Sequence, residues 1–456
     1  MPGKPSLWSR LRSLVGSETT KPAKAPEAVQ GQPPPTVEVK AVDALDLTIG
    51  IDFGTSCSKV VIGDPDWQAQ SFAVSFESPS TELRHWLLPT RFEQERNLKL
   101  RLMAEPESEG IQNLVALYMA EVIRRSNEWF AQNAPAGYQR RKVNWSLVIG
   151  FPEKEFSESP LSRAYRQVAS LAVRLAGLHV PCTPVEAQRV RLARNSFAPV
   201  LPDDRIHFYP EIAAQLAGYI NSPFRQHGPL LLIDVGAGTM DVSTLIVHGN
   251  AQQDVVSFHV CEVKPLGALR LLDRQIAALR PLPGIRLKVE LLDFQDTLRP
   301  VPERLSDIAE NTSGAARRSF DQTSEGFAEE VIRSALSCLT RFRMRQREAH
   351  TNANYDPWEA NLRFFLTGGG ARSAFFRHHL VGGPLEQNLA PFTRWHREAQ
   401  RRLQHGQGFR VERLPLPGKL LHFPKNLHPE FDRISVAHGL AFGGPNLMKI
   451  TRSPLA

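Results

Sequence analysis

Cysteine is scarce: the 456 residues contain four. Cys57, Cys182, Cys261 and Cys338 stand too far apart for a zinc ribbon and are too few to staple a fold, so neither disulfides nor a structural metal is expected. Long apolar runs are also lacking. No stretch approaches the roughly eighteen consecutive apolar residues that a membrane-spanning helix needs, and the basic N-terminus carries no apolar segment of secretory-signal length. These absences lead us to expect a cytoplasmic protein without a membrane span. Evenly spread charge is missing too. The formal net charge is +8, yet residues 1–24 carry five basic side chains against Glu18 alone, and residues 394–425 carry eight against Glu398 and Glu412. The rest of the chain is slightly acidic. Basicity confined to a tail and one late segment argues against a molecule-wide nucleic-acid surface, and a nucleic-acid partner is not expected.

What is present is an ordinary globular composition, 42% apolar and 22% charged, long enough for two or three domains. Residues 1–46 differ from the remainder: Pro2, Pro5, Pro22, Pro26 and Pro33 to Pro35 sit among Lys, Glu, Gln and Ala, a disordered Pro-rich basic tail by composition. Within it Trp8, Leu11, Leu14 and Val15 alternate with Arg10 and Arg12, a candidate for weak contact with a membrane surface or a partner; a frayed tail is the plainer reading.

Regular patterning starts near residue 47. An apolar strand at 47–51 runs into a small-residue tip, and a second strand returns at 60–62. Helical stripes follow, one through Ile111, Val115, Tyr118 and Val122, another opened by Ser159-Pro160 and stopped by Gly177, and a third opened by Pro210; a strand ends at Gly150-Phe-Pro152. After residue 226 the pattern restarts: strand 230–234, a tip at Gly236-Ala-Gly-Thr239, and a returning strand at 242–247. Asp234 stands where Asp52 stood, 182 positions earlier in the chain. Later come a helix near 327–342, a strand at 364–367 running into Gly368-Gly-Gly370, and a last helix at 434–442.

A glycine-rich tip between strands lets backbone N–H groups approach phosphate oxygens, since no Cβ blocks the way. Gly54 and Gly238 serve that purpose, Thr55, Ser56 and Thr239 add hydroxyl donors, and Asp52 and Asp234 supply hard oxygens suited to a magnesium ion carried by a nucleotide. Each loop taken alone is also compatible with a plain turn. A third element adds weight: Gly368-Gly-Gly-Ala-Arg-Ser373 follows an apolar strand, as suits a loop beneath an adenine ring with an arginine beside it.

Ile49-Gly-Ile-Asp-Phe-Gly-Thr-Ser56, Ile233-Asp-Val-Gly-Ala-Gly-Thr-Met-Asp-Val242 and Leu366-Thr-Gly-Gly-Gly-Ala-Arg372 resemble the phosphate-1, phosphate-2 and adenosine motifs of the actin-like ATPase superfamily. Within it the chain is most similar to the nucleotide-binding domain of the seventy-kilodalton heat-shock chaperones. Leu147-Val-Ile-Gly-Phe-Pro152 resembles that family's strand-Pro segment. Pro210-Glu-Ile-Ala-Ala-Gln-Leu-Ala-Gly218 and Val436-Ala-His-Gly-Leu-Ala441 resemble its two connecting helices. The match runs from about residue 47 to 444, and the peptide-gripping β-sandwich of a full chaperone has no counterpart within these 456 residues.

The resemblance implies an α/β fold of two duplicated ribonuclease-H-like lobes, 47–226 and 227–446, closing on Mg2+ with ATP or ADP in a central cleft, with a basic insertion near 394–425 and a short tail at 447–456. It implies that Asp52, Asp234 and Asp241 serve the metal and its waters. Gly54, Thr55, Ser56, Gly236, Ala237, Gly238 and Thr239 are then expected to hold phosphates, and Gly368, Gly369, Gly370 and Arg372 to meet the adenosine. Lys99 is the candidate for the lysine that reaches the terminal phosphate, with a solvated strand residue as the alternative. Arg317 and Arg318 are candidates for the basic pair on the far side of the adenine, without the acidic residue that normally precedes it. One departure bears on catalysis. Tyr209 stands where the family has a glutamate before the proline, and Glu211 follows it instead. Glu211 orients water if the helix start is distorted and points away if the helix is regular through this point.

Other residues draw plainer readings: Cys338 as core, Cys57 as a small loop filler, His378 and His379 as surface, Lys59 as a solvent-facing strand residue. The function expected is that of a chaperone-type, slow Mg-dependent ATPase, a nucleotide-driven switch acting on a protein partner. A filament-forming actin-like protein and a nucleotide-binding scaffold without turnover are the alternatives, and a small-molecule kinase is disfavoured by the form of the 234–239 loop.

Overall fold

The computed structural model describes residues 44–452 apart from 67–68, 78–81, 153–157, 179–181, 249–254, 292–293, 295–299, 311, 350–361, 382–410 and 443–448. Residues 1–43 of the expected tail, with the amphipathic stretch at 7–15, lie outside the described residues, as do 394–410 of the basic segment; Leu45 and Asp46, expected as the end of that tail, instead open the first strand. Among the described residues no helix is long and apolar enough to cross a membrane.

The first motif folds as strands β1 (Leu45–Asp52) and β2 (Cys57–Asp64), followed by β3 (Gln70–Ala73) and the short β4 (Leu88–Pro89), which pairs with β2. β1, β2 and β3 form an antiparallel meander. Helices α1 (Leu98–Ala104) and α2 (Glu109–Asn133) lead to β5 (Val143–Phe151), which lies parallel to β1 on its other side. Helix α3 (Pro160–Ala176) crosses over to β6 (Ile206–Pro210), parallel to β5, and α4 (Glu211–Ile220) leaves the sheet. The start of α3 follows from its sequence: Ser159 accepts from the Ser162 N–H at 3.1 Å and Ser162 returns the bond to the Ser159 N–H, a reciprocal cap contributing about 1 kcal/mol.

The second half repeats this plan. β7 (Gly228–Val235), β8 (Met240–His248) and β9 (Val255–Lys264) form another antiparallel meander. Helix α5 (Ala268–Leu279), the two-stranded pair β10 (Arg286–Leu287) and β11 (Ala309–Glu310), and the long α6 (Gly314–Ala349) precede β12 (Arg363–Thr367), parallel beside β7, and β13 (Val411–Glu412), parallel beside β12. In each sheet the third, second and first strands of the meander are followed by two parallel strands. The molecule is therefore an α/β fold of two lobes with duplicated ribonuclease-H-like strand order.

The last segment departs from a simple division into consecutive halves. β14 (Leu420–Leu421) returns to the edge of the first sheet beside β3, and helix α7 (Ser435–Phe442) packs on β1 and β2. Residues 449–452, expected as tail, form β15 (Lys449–Arg452) alongside β9 on the second sheet. Residues 411–425 of the expected basic insertion likewise carry β13 and β14, one on each sheet.

The burial of β1 explains its sequence. Leu47, Ile49 and Ile51 are fully buried on the face covered by α2 and α3, each side chain contributing about 1.5–3 kcal/mol. Gly50 faces the other way, where a Cβ would stand 2.4 Å from the Ala437 carbonyl oxygen of α7. The two connecting helices cross equally closely: a Cβ on Gly439 of α7 would stand 1.8 Å from the Ala214 carbonyl oxygen of α4.

Candidate functional site

Between the two sheets lies a cavity of about 340 Å³, lined by all three glycine-rich loops together with Lys99, Glu211 and Arg372. In the first loop the Gly54 N–H bonds back to the Asp52 carbonyl at 3.1 Å, and Thr90 braces the turn, its hydroxyl donating to Gly54 O at 2.9 Å and its N–H to Ser56 O at 2.8 Å. Thr55 and Ser56 are left half-buried on the cavity wall.

The backbone of the second loop is pinned from one side. The carbonyls of Gly236, Ala237 and Gly238 accept from the N–H groups of Ala268, Leu269 and Gly267 at 3.0, 2.9 and 3.3 Å, satisfying donors that the start of α5 would otherwise leave unpaired. In a trans peptide the C=O and N–H point in opposite directions, so the N–H groups of Ala237, Gly238 and Thr239 are turned away from α5. Gly236, Ala237 and Thr239 line the cavity on that side.

In the third loop Gly368 has φ of +84° and sits so close to Asp234 that a Cβ would meet its Oδ1 at 2.3 Å; Gly370 is packed as tightly on Val235. These two glycines fit the lobe together, whereas Gly369 opens onto the cavity beside Arg433. Arg372 lines the cavity but is held by the segment preceding α7, donating to Asp432 at 2.6 and 3.1 Å and pairing with Glu430 at 2.9 Å.

Lys99 lies on α1, not on a strand, and is 7% exposed. Its Nζ bonds both Glu211 oxygens, at 2.6 and 2.8 Å. Burial alone would depress this ammonium, but the charge of Glu211 above all, with Tyr165 and Asp52, holds its pKa raised. The Glu211 carboxyl is raised by its burial, an effect Lys99 opposes. Glu211 faces the cavity because Tyr209 belongs to β6 and Pro210 is the N-cap, so helical rotation starts only at Glu211. Its neighbour across β5 is Gly150, where a Cβ would press to 2.8 Å from Glu211 Cγ.

Asp52 is paired with Lys59, whose Nζ donates to Oδ2 at 2.8 Å. Lys59 therefore points into the cavity, contrary to the expected solvent-facing role, because the outer face of β2 is here the floor of a cleft. Asp234 accepts from Gln215 Nε2 of α4, a bond from one connecting helix to the second hairpin, and burial raises its pKa. Asp241 is pushed up to about 8, first by burial and then by the charges of Asp234 and Glu211, and its Oδ1 is buried with no hydrogen-bond partner.

Arg317 and Arg318 are not brought to this cavity. They are exposed on the first turns of α6, whose inward positions there are Ala316 and Phe320, packed with Leu272 and Ile276 of α5. The wall on that side is formed by Phe294, Pro300, Val301 and Glu303. Cys57 is buried at the cavity edge and Cys338 lies in the second lobe's core, its thiol pushed up to about 12 by burial, with Glu262 3.3 Å away; His378 is exposed. Sequence reasoning missed Lys59, Gln215 and Arg433 as cavity residues. For Lys59 a signal existed: it follows Asp52 by the same seven positions that separate Asp241 from Asp234.

No family model matches the chain, and no curated protein sequence matches it. Many solved structures are similar to the chain, two of them as follows. The ethanolamine utilization protein EutJ from Carboxydothermus hydrogenoformans is 11% identical over 87% of this chain and 90% of its own, with a TM-score of 0.36. Apo pSK41 ParM is 11% identical over 87% of this chain and 97% of its own, with a TM-score of 0.35. Strand order and register define the two lobes.

Proposed function

We propose that the cavity binds Mg-ATP and Mg-ADP and hydrolyses the triphosphate slowly, the lobes answering to the nucleotide and so acting as a switch on a protein partner. One observation carries this reading: the outward-turned N–H groups of the 236–239 loop, the braced 52–59 loop and the Lys99–Glu211 pair all open on one cavity. The donor set suits a hard cation. Asp52, Asp234 and Asp241 offer oxygen only, and the orphaned Oδ1 of Asp241 wants a donor or a positive charge. Magnesium, when bound, would offset charge on the phosphates and polarise them.

The chain's own part is then as follows. Loop N–H groups hold phosphate oxygens, and Asp52 and Asp234 would hold the magnesium ion through its waters. Lys99 neutralises the terminal phosphate, and Glu211, once its ammonium partner turns to that phosphate, orients the attacking water and accepts its proton. Balance of charge supports a metal-bound ligand: even without Asp241, whose pKa is pushed up to about 8, Asp52, Glu211, Asp234, Glu303 and Asp432 outnumber Lys59, Lys99, Arg372 and Arg433 among the described residues around the cavity, so a bare polyphosphate would enter an acidic site.

Single-turnover hydrolysis of Mg-ATP tests the reading. Glu211→Gln is expected to lower the rate by about 10²–10⁴-fold with little change in affinity. Tight binding by the wild type with no hydrolysis above background would replace the ATPase by a nucleotide-binding scaffold.

A further inference from the structure

Three of the four cations lining the cavity are already matched. Lys59 holds Asp52 at 2.8 Å, Lys99 holds Glu211 at 2.6 Å, and Arg372 holds Asp432 and Glu430 at 2.6 and 2.9 Å. Arg433 forms no hydrogen bond and no ion pair with any described residue, although it follows Asp432 directly. Its guanidinium lies flat against Gly369: a Cβ there would be 3.3 Å from Cζ and 3.4 Å from each terminal nitrogen. Burial, and then the like charge of Arg372, push its pKa down, an effect that the nearby charges of Asp432 and Glu430, already taken by Arg372, only partly oppose.

Its place in the fold says what it faces. Arg433 ends the 3-10 segment Lys425–Arg433, whose continuation α7 packs on the first lobe, while Gly369 belongs to the second. Arg433 lines the same cavity as Cys57 of the first loop. It thus stands between the first and third loops, whereas Lys99 and Glu211 form a separate pair on α1 and α4.

We infer that Arg433 is a nucleotide-binding residue that takes an oxygen of the inner phosphates, those shared by ADP and ATP, with its free N–H edge. The inference rests on the nucleotide reading above and adds a specific residue to it. A planar guanidinium with one face on a glycine keeps its N–H edge for an anion, and a charge-assisted bond to phosphate is among the stronger polar contacts a site makes.

The experiment is calorimetric titration of the full chain with Mg-ADP and Mg-ATP, wild type against Arg433→Gln and Arg433→Lys, with melting of each ligand-free protein. Arg433→Gln is expected to weaken both nucleotides by about 10–100-fold, leave their affinity ratio unchanged, and leave the ligand-free melting temperature the same or higher, since no hydrogen bond or ion pair with a described residue is lost and a buried charge is removed. Arg433→Lys keeps the charge and recovers part of the affinity. Equal affinity in wild type and Arg433→Gln overturns the inference while sparing the nucleotide reading. So does a ligand-free Arg433→Gln that melts markedly lower, because the residue is then structural, and so does a loss confined to ATP. Absence of binding by the wild type overturns both.

Discussion

Asp241 occupies in the second hairpin the place that Lys59 occupies in the first. Lys59 is directly across the ladder from Asp52 and Asp241 directly across from Asp234, each seven residues further along the chain. The duplicated frame therefore presents one neutralised carboxylate and one pair of carboxylates to the same cavity. In the first hairpin the ammonium fixes Asp52; in the second, burial and then the charges of Asp234 and Glu211 push the pKa of Asp241 up to about 8.

Removing Lys59 leaves Asp52 without its ammonium in a site where the two side chains are 18% and 9% exposed. Lys59→Met is expected to cost stability near the lower end of the about 3–5 kcal/mol seen when one partner of a buried pair is lost, and Asp52→Asn in the same chain should return part of it. Urea unfolding of the single and double variants measures this; additive losses would mean that the pair is not coupled.

Gly150 gives Glu211 its room. Gly150→Ala should push the carboxylate from its place and lower single-turnover hydrolysis at least about 10-fold with affinity for Mg-ATP nearly kept. A rate equal to wild type would show that Glu211 does not need its present position.

The helix crossing is tighter still. With a Cβ of Gly439 falling 1.8 Å from a backbone oxygen of α4, Gly439→Ala forces the connecting helices apart and should destabilise the protein by about 1–3 kcal/mol or more. Thermal melting reads the effect, and an unchanged midpoint would contradict this packing.

His438 on α7 is buried, stacks on Phe442, and has its pKa pushed down to about 4 by burial. In the unfolded chain the same imidazole protonates near its ordinary 6.5. Between these values the unfolded state binds the extra proton, so stability falls as pH drops from 6.5 toward 4, by about 1.4 kcal/mol per pH unit for this one group. His259, also pushed down to about 4, adds to the slope. Unfolding followed across this range should show a shallower decline in His438→Gln than in wild type; parallel curves would rule out His438 as a source.

Much of the fold was legible locally. Two hairpins with Asp-x-Gly tips, the Ser159 cap with its Gly177 stop, and the glycine run after β12 are each written within a few neighbouring residues. What escaped was set by distant contacts. The strands β14 and β15 are two and four residues long and exist only by pairing with β3 and β9. Two adjacent arginines at 317 and 318 carry no information about the phase of α6, which Ala316 and Phe320 fix by facing the core. Lys59 reads as solvent-facing because alternation along β2 gives its face but not that this face floors a cleft. Glu211 was ambiguous until the junction of β6 and α4 placed Pro210 outside the helix. Arg433 reaches the cavity only because the late segment returns to the first lobe.

Titration of the full chain with Mg-ATP in a calorimeter, with melting in the same buffer alongside, decides whether the cavity is a nucleotide site. One site per chain is expected, with stabilisation rising with ligand concentration to about 2.7 kcal/mol at a hundredfold excess over the dissociation constant. No heat and no thermal shift at millimolar Mg-ATP would contradict the account.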